Sequence, residues 1–459
     1  MSLRVVLPLV ALLSGWVAGT ALPASPPDRH VVVISIDGFP AYLLNDPKVP
    51  LTAIRGLARQ GAAAEGMHVS NPSVTWPNHT TLVTGVRPEK HGVLFNGVLL
   101  RAGPGEPVSV DSRRDKAELV RVPTLYDVLH EAGFRTAEIN WPCTRNCPGL
   151  DDGFPDVPGN VSNATPRLRR ELVAEGILAN DSDAALSGLS SAGRDDVWTR
   201  AACHLIRRRR PHLLLLHLLN VDSTHHAAGP RSPAGYTAVA YADACVARVL
   251  AALDESGLRE RTTVFVVADH GFSVAEKALK PNALLREAGL LKLNGSGKII
   301  EARAQVVPEG GTGMIYLTDP AHREADAARV RELLEGREGV REILTPDQFA
   351  ANGLPHPREY PQMADLILVA RDGYAVSGAA DGDSFVVPQA SGGVALGNHG
   401  YIATDEKMNA LFVAAGIGIK PGVKLRLIDN VDLAPTIAQL FELSLPSADG
   451  RVLRDILTE

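Results

Sequence analysis

His30-Val31-Val32-Val33-Ile34-Ser35-Ile36, closed by Asp37-Gly38, is the stretch on which the fold turns. The run is mostly β-branched, and polar and apolar positions do not alternate. Such a strand is buried on both faces, as in a parallel sheet covered by helices. Two later runs repeat the pattern. Residues 212–219 are leucine-rich and end in Asn220-Val221-Asp222; residues 262–268 end in Asp269-His270-Gly271. Helical spacing marks 51–60, 124–133, 195–208 and 233–256, several of them stopped by a glycine. Strands alternating with helices predict an α/β fold with a largely parallel central sheet flanked by helices.

From residue 280 to 395 the rhythm changes. Strand-like pieces at 298–302, 313–317 and 364–369 surround one charged helix at 321–335, which reads as an inserted α+β cap. The core, begun at 28–279, resumes over 396–459 with Asn398-His399-Gly400-Tyr401, a strand at 410–415 and a helix at 430–443. At 459 residues the chain can bury a large core. Its hydrophobic share of 45% and net charge of −6 give no basic surface for nucleic acid. Arg207 to Arg210 read as the solvated end of a helix. Residues 1–24, with Arg4, an apolar run and then small residues, predict a cleaved secretory signal and a secreted or periplasmic protein without stable membrane insertion. The polar 451–459 carries no GPI-anchor signal. Export makes Cys143–Cys147 and Cys203–Cys245 the expected disulfides, with buried free thiols on the two helices as the alternative.

In parallel sheets, ligands gather beyond the carboxyl ends of the strands. Asp37, Asp222, Asp269 and His270 fall at such ends, and His226 and His399 lie in adjoining turns. Three carboxylates and three imidazoles suit a borderline divalent ion such as zinc better than magnesium. Upstream, Pro72-Ser73-Val74-Thr75-Trp76-Pro77-Asn78-His79-Thr80-Thr81 presents a hydroxyl, an indole and a carboxamide between two prolines, ahead of a short helix beginning at Thr81. A hydroxyl at a helix start is well placed to face an anion.

Taken in order, Ser35-Ile36-Asp37-Gly38-Phe39, Thr75-Trp76-Pro77-Asn78-His79, Asp222-Ser223-Thr224-His225-His226, Ala268-Asp269-His270-Gly271 and Asn398-His399-Gly400-Tyr401 resemble the nucleotide pyrophosphatase/phosphodiesterase family of the alkaline phosphatase superfamily. The resemblance implies an alkaline-phosphatase-like core and two zinc ions. One would be bound by Asp37, Thr75, Asp269 and His270, the other by Asp222, His226 and His399; the ligand set also admits another divalent transition metal at one position. It further implies that Thr75 is the nucleophile, that Asn78 hydrogen-bonds a phosphoryl oxygen and that Trp76 packs against a nucleobase. The expected activity is hydrolysis of a small phosphodiester or nucleotide pyrophosphate through a phospho-threonine intermediate. A phosphonate hydrolase or phosphomonoesterase of the same superfamily, or a non-catalytic protein stabilised by metal, are the alternatives. The absence of a Cys-x-Pro-x-Arg nucleophile context argues against a sulfatase. His225 stands where a small residue is usual, and would either crowd the site or add a ligand. Asn78-His79-Thr80 also reads as a glycosylation sequon, which would contradict the role given to Asn78.

Overall fold

β-branched and leucine side chains find the largest apolar burial in strands covered on both faces, and the main sheet is made of such strands. In the computed structural model, which describes residues 28–458, eight strands build it. They are β1 (His30–Ile36), β2 (Ala62–His68), β3 (Thr136–Pro142), β4 (Asp152–Asp156), β5 (Leu213–Leu218), β6 (Thr262–Val267), β7 (Phe412–Gly416) and β8 (Val423–Asp429). Their order is β8-β2-β7-β6-β1-β5-β3-β4. All run parallel except β7, which is antiparallel to both neighbours. β1, β5 and β6 are buried along their whole length, so the carboxyl ends of three neighbouring central strands open side by side. The signal-peptide reading of 1–24 lies outside the described residues.

The flanking helices are α1 (Ala53–Gln60), α2 (Thr75–Thr84), α3 (Ser191–Arg208), α4 (Asn220–Ala228), α5 (Pro233–Glu255) and α6 (Leu433–Leu440). Two of them differ from the sequence reading. α2 begins at Thr75, six residues before Thr81, because Pro77 falls in the first turn, where its missing N–H costs nothing. α4 occupies a stretch read only as the end of a strand, and it puts Asp222 and His226 one turn apart on the same face.

Between β6 and β7 the chain builds sheets of its own. Ala304–Pro308, Thr312–Leu317, Leu366–Ala370 and Val340–Leu344 form an antiparallel sheet in that order, backed by the helix Arg323–Leu334. Leu285, Val306, Ile315, Val330, Leu334 and Leu368 make its separate apolar core. The main domain grips this insertion through Arg101, which donates to Leu317 O (3.1 Å), Met363 O (2.8 Å) and Asp365 (2.9 Å). A second seam is the pairing of Ser273–Leu279 with Gly397–Asn398, which delivers His399 to the end of the main sheet.

The expected disulfides are not formed: all four cysteines are free thiols. Cys143 is turned into an apolar cluster with Trp76, Val93, Leu119 and Val120, while Cys147 points its sulfur at Asp127 (3.7 Å). On α3, Cys203 directs its thiol to the Arg248 carbonyl (3.6 Å), and Cys245 is buried on α5. Both helix cysteines therefore act as small core residues.

Candidate active site

Asp37 leaves β1 at a turn that only glycine could complete. Gly38 has φ +64°, and a Cβ there would lie 2.6 Å from the Phe272 ring and 3.2 Å from the Asp222 backbone. That tight turn brings three sheet-end carboxylates together. One ligand atom each from Asp37, Asp269 and His270 lie within 4.8 Å of one another, and so do those of Asp222, His270 and His399. His270 Nε2 sits between the groups, 3.4 Å from Asp37 Oδ1 and 3.2 Å from Asp269 Oδ2. His226 Nε2 is 3.4 Å from Asp222 Oδ1, and His399 Nε2 is 3.7 Å from the same oxygen.

Each ring is held by its other nitrogen. Nδ1 of His226 meets the Gly397 carbonyl (2.9 Å), that of His270 the Gly271 carbonyl (3.1 Å), and that of His399 the Ser73 carbonyl (3.1 Å). Fixing Nδ1 on a backbone acceptor presents Nε2 as a lone-pair donor, the usual arrangement behind metal-binding imidazoles. Gly400 closes the His399 turn with φ +71°, where a Cβ would lie 1.6 Å from the Glu309 carbonyl oxygen.

The carboxylates show the same division. Asp37 Oδ2 is bonded to His217 Nε2 (2.9 Å), and Asp269 Oδ1 accepts from the Gly38 amide (3.1 Å). The remaining atoms, Asp37 Oδ1, Asp269 Oδ2, Asp222 Oδ1 and His270 Nε2, are buried without a hydrogen-bond partner. Buried polar atoms are rarely left so. Burial, reinforced by the charges of Asp269 and Asp222, pushes the Asp37 carboxyl well above its ordinary range. Burial likewise raises Asp222, against the pull of His226. For His399, burial and then the neighbouring His270 and His226 favour the neutral imidazole, the ligating form. Three crowded carboxylates and three imidazoles with their free atoms converging fit divalent cations, which would supply the missing partners and favour the ionised carboxylates.

Thr75 opens α2 beside this centre. Its turn is bound to both sides: His79 Nδ1 lies 2.9 Å from the Thr75 carbonyl and 3.5 Å from Asp269 Oδ2, while the Ser73 carbonyl accepts from the Gly400 amide (3.1 Å). A hydroxyl at the first position of a ten-residue helix faces the free N–H end of the dipole.

Two sequence assignments are corrected. Asn78 is fully buried, and its whole amide is used. Oδ1 accepts from Ser70 N and Asn430 Nδ2 (both 2.8 Å), and Nδ2 donates to the carbonyls of Pro72 and Val74 (both 2.9 Å) and Ser70 (3.3 Å). It holds the loop before Thr75 and has no N–H left for a phosphoryl oxygen; its burial also excludes a glycan. Trp76 keeps 5% of its surface and packs against Val93, Leu119, Val120 and Cys143, so its ring is a wall of the apolar cluster and not an open platform for a base.

His225 is buried behind the Asp37 turn, with its Nε2 left without a hydrogen-bond partner. Its ring turns inward, with Nδ1 3.1 Å from the Gly38 carbonyl and an edge-on contact to Phe272. Two residues were missed. Asn96, itself exposed, accepts the Trp76 amide proton on Oδ1 (2.8 Å) at the start of α2, which leaves its NH2 group unused by that bond; a loop asparagine gives no sequence signal of this. His217 holds Asp37, and its signal was visible as a lone imidazole in an all-leucine strand.

The family model for type I phosphodiesterase / nucleotide pyrophosphatase matches residues 31–402. An uncharacterized pyrophosphatase/phosphodiesterase of Schizosaccharomyces pombe is 23% identical over 439 residues, 92% of this chain and 78% of that protein. Human ectonucleotide pyrophosphatase/phosphodiesterase family member 1 is 22% identical over 442 residues, covering 93% of this chain but 41% of its own length. Human ectonucleotide pyrophosphatase / phosphodiesterase 5 superposes with a TM-score of 0.70 at 17% identity, over 94% of this chain and 100% of that one. An inactive variant of the murine counterpart, solved in complex with AMP, gives 0.68 at 17% identity over the same shares.

Proposed function

The chain belongs to the type I phosphodiesterase / nucleotide pyrophosphatase family, and from that premise we propose that it is an exported hydrolase that cleaves small phosphodiesters or nucleotide pyrophosphates with Thr75 as nucleophile. The observation that carries this reading is the convergence of the unpartnered atoms of Asp37, Asp222, Asp269 and His270 beside the start of α2. Asp37, Asp269 and His270, with Thr75, would hold one zinc ion, and Asp222, His226 and His399 a second. When bound, such a pair supplies Lewis-acid activation of an oxygen nucleophile and neutralises charge on the phosphoryl group.

The chain's own groups do the rest. Thr75 Oγ attacks phosphorus; the Oγ–P bond forms as the bond to the leaving oxygen breaks, and the proton given up by the hydroxyl ends on the departing alcohol or phosphate. The Thr75 amide at the start of α2 and the Asn96 NH2 would donate to the phosphoryl oxygens, where negative charge builds. Water then cleaves the phospho-threonine from the Asp222/His226/His399 side and releases a phosphate monoester. AMP bound by the murine relative is a product of this type and supports a nucleotide substrate.

The test is Thr75→Ala assayed on bis-(p-nitrophenyl) phosphate with metal content measured in parallel. Turnover is expected to vanish while most of the metal is retained; unchanged turnover would refute the mechanism. A marked preference for mono- over bis-(p-nitrophenyl) phosphate would move the protein to the phosphomonoesterases.

A further inference from the structure

We infer that His217 is a positioning residue that makes Asp37 a one-oxygen ligand and thereby sets the coordination of one of the two ions; this rests on the two-ion reading above. β5 is five leucines and one histidine, all buried. An imidazole there is far costlier to bury than another leucine unless its nitrogens are satisfied, and both are. Nε2 lies 2.9 Å from Asp37 Oδ2, which can accept its N–H, while Nδ1 lies 2.8 Å from the Asn140 carbonyl oxygen and 3.3 Å from the Asn140 side-chain Nδ2, which can donate to it.

The register explains the contact. His217 pairs with Ser35 on the neighbouring strand. Asp37 is two residues beyond Ser35, so its side chain points to the same face of the sheet. From the other side, β3 breaks register between Ile139 and Pro142, and Asn140 sits there with φ +59°. That left-handed bulge turns the Asn140 carbonyl onto His217, while its side-chain amide donates to the His217 carbonyl (3.3 Å). Three adjacent strands thus fix one ring, and the ring fixes one carboxylate oxygen.

The consequence lies in the other oxygen. With Oδ2 tied to His217, only Oδ1 of Asp37 is free, and it is the atom left unpartnered beside His270. Without His217 the carboxylate could rotate or offer both oxygens, raising the coordination number and weakening the geometry a four-ligand site needs. Outer partners of this kind are worth roughly 10- to 100-fold in metal affinity.

The experiment compares wild type, His217→Phe and His217→Gln by zinc stoichiometry, the rate of zinc loss to a chelator and the visible spectrum after cobalt(II) substitution. Glutamine can still donate to Asp37; phenylalanine fills the space without donating. Wild type should hold two ions. His217→Phe should lose one of them roughly 10- to 100-fold faster, with weaker cobalt bands as the coordination number rises, and His217→Gln should recover most of both. His217→Asn, whose shorter amide stops short of Asp37, makes the same comparison if the phenylalanine variant does not fold. A phenylalanine or asparagine variant that keeps both ions at the wild-type rate with an unchanged spectrum refutes the inference alone. Wild-type protein that holds no divalent ion overturns the two-ion reading and the inference together.

Discussion

Two asparagines flank the proposed nucleophile, and substitution separates them. Asn96 uses only its Oδ1 at the start of α2, on the Trp76 amide, whereas Asn78 spends its whole amide on the loop before the helix. Asn96→Ala should lower kcat/KM by about 100- to 1,000-fold, the usual loss of one transition-state donor, with little change in the urea midpoint. Asn78→Ala should lower the midpoint, because several buried carbonyls and amides lose their partner, a loss on the order of 3 kcal/mol. Steady-state kinetics and urea unfolding of both variants decide it; an inactive but stable Asn78→Ala would restore the sequence reading. That reading went astray for a physical reason. The partner that locks Asn78 is Asn430, in the turn before α6, and no local pattern announces a contact across that span. Asp37, Asp222 and Asp269 were legible because a strand end is a local feature, but His217 was absorbed into an apolar run because its partner lies on another strand.

Helix starts in this molecule are repeatedly capped from afar. α1 has no side-chain cap of its own; Asp243, buried on α5, accepts from the amides of Thr52 (2.8 Å), Ala53 (3.0 Å) and Ile54 (2.8 Å). One carboxylate therefore serves three of the four orphan donors of the first turn. Asp243→Ala should cost about 3 kcal/mol, read as a lower urea midpoint, while kcat and KM of the folded enzyme stay at wild-type values because the carboxylate bonds only the amides of α1 and none of the metal-binding atoms. A midpoint shift below about 0.5 kcal/mol would mean that water replaces the cap. α4 is built in the same way. Asp195 on α3 accepts from Leu219 and Asn220 at its start (2.8 and 3.1 Å). The segment Asn220-Val221-Asp222-Ser223-Thr224-His225-His226 has no apolar periodicity and weak helix formers, so its helix depends on a cap that sequence spacing cannot reveal. The apolar strands needed no such help, and α1 kept a helical spacing and a glycine stop although its cap lies on α5, which is why the layer order of the core was readable while the elements carrying Asp222 and Thr75 were misdrawn at their starts.

Across the whole molecule, buried ionisable groups of opposite kinds set how stability depends on pH. His91 is fully buried between Thr81 and Val93, and burial lowers its imidazole from an ordinary 6.5 to about 3. Below pH 6.5 the unfolded chain takes up a proton that the folded one refuses, so stability falls as pH drops and the loss is complete near pH 3. The limit is roughly 5 kcal/mol at about 1.36 kcal/mol per unit. Glu138 acts in the other direction. Held on β3 by the Trp141 and Phe154 amides (2.9 and 2.6 Å), it is nonetheless raised by burial from 4.5 to about 8. Above pH 4.5 the unfolded chain releases a proton that the fold retains, so stability falls as pH rises toward 8, by a similar amount. Between about 4.5 and 6.5 the two slopes oppose each other; His79, His212 and His225, whose imidazoles burial lowers to between about 3 and 4, add to the acid slope, and Asp195, raised by burial to about 7, adds to the alkaline one. Urea midpoints of chelator-treated protein from pH 3.5 to 8.5 should therefore form a plateau with a shoulder on each side. His91→Gln should make the acid shoulder shallower and leave the alkaline one, and Glu138→Gln should do the reverse, whatever the absolute stability of either variant, since only the slope reports proton linkage. An acid slope undiminished in His91→Gln would show that the ring takes up its proton in the fold as readily as in the unfolded chain, and an alkaline slope undiminished in Glu138→Gln would show that the two backbone amides outweigh burial at that carboxyl.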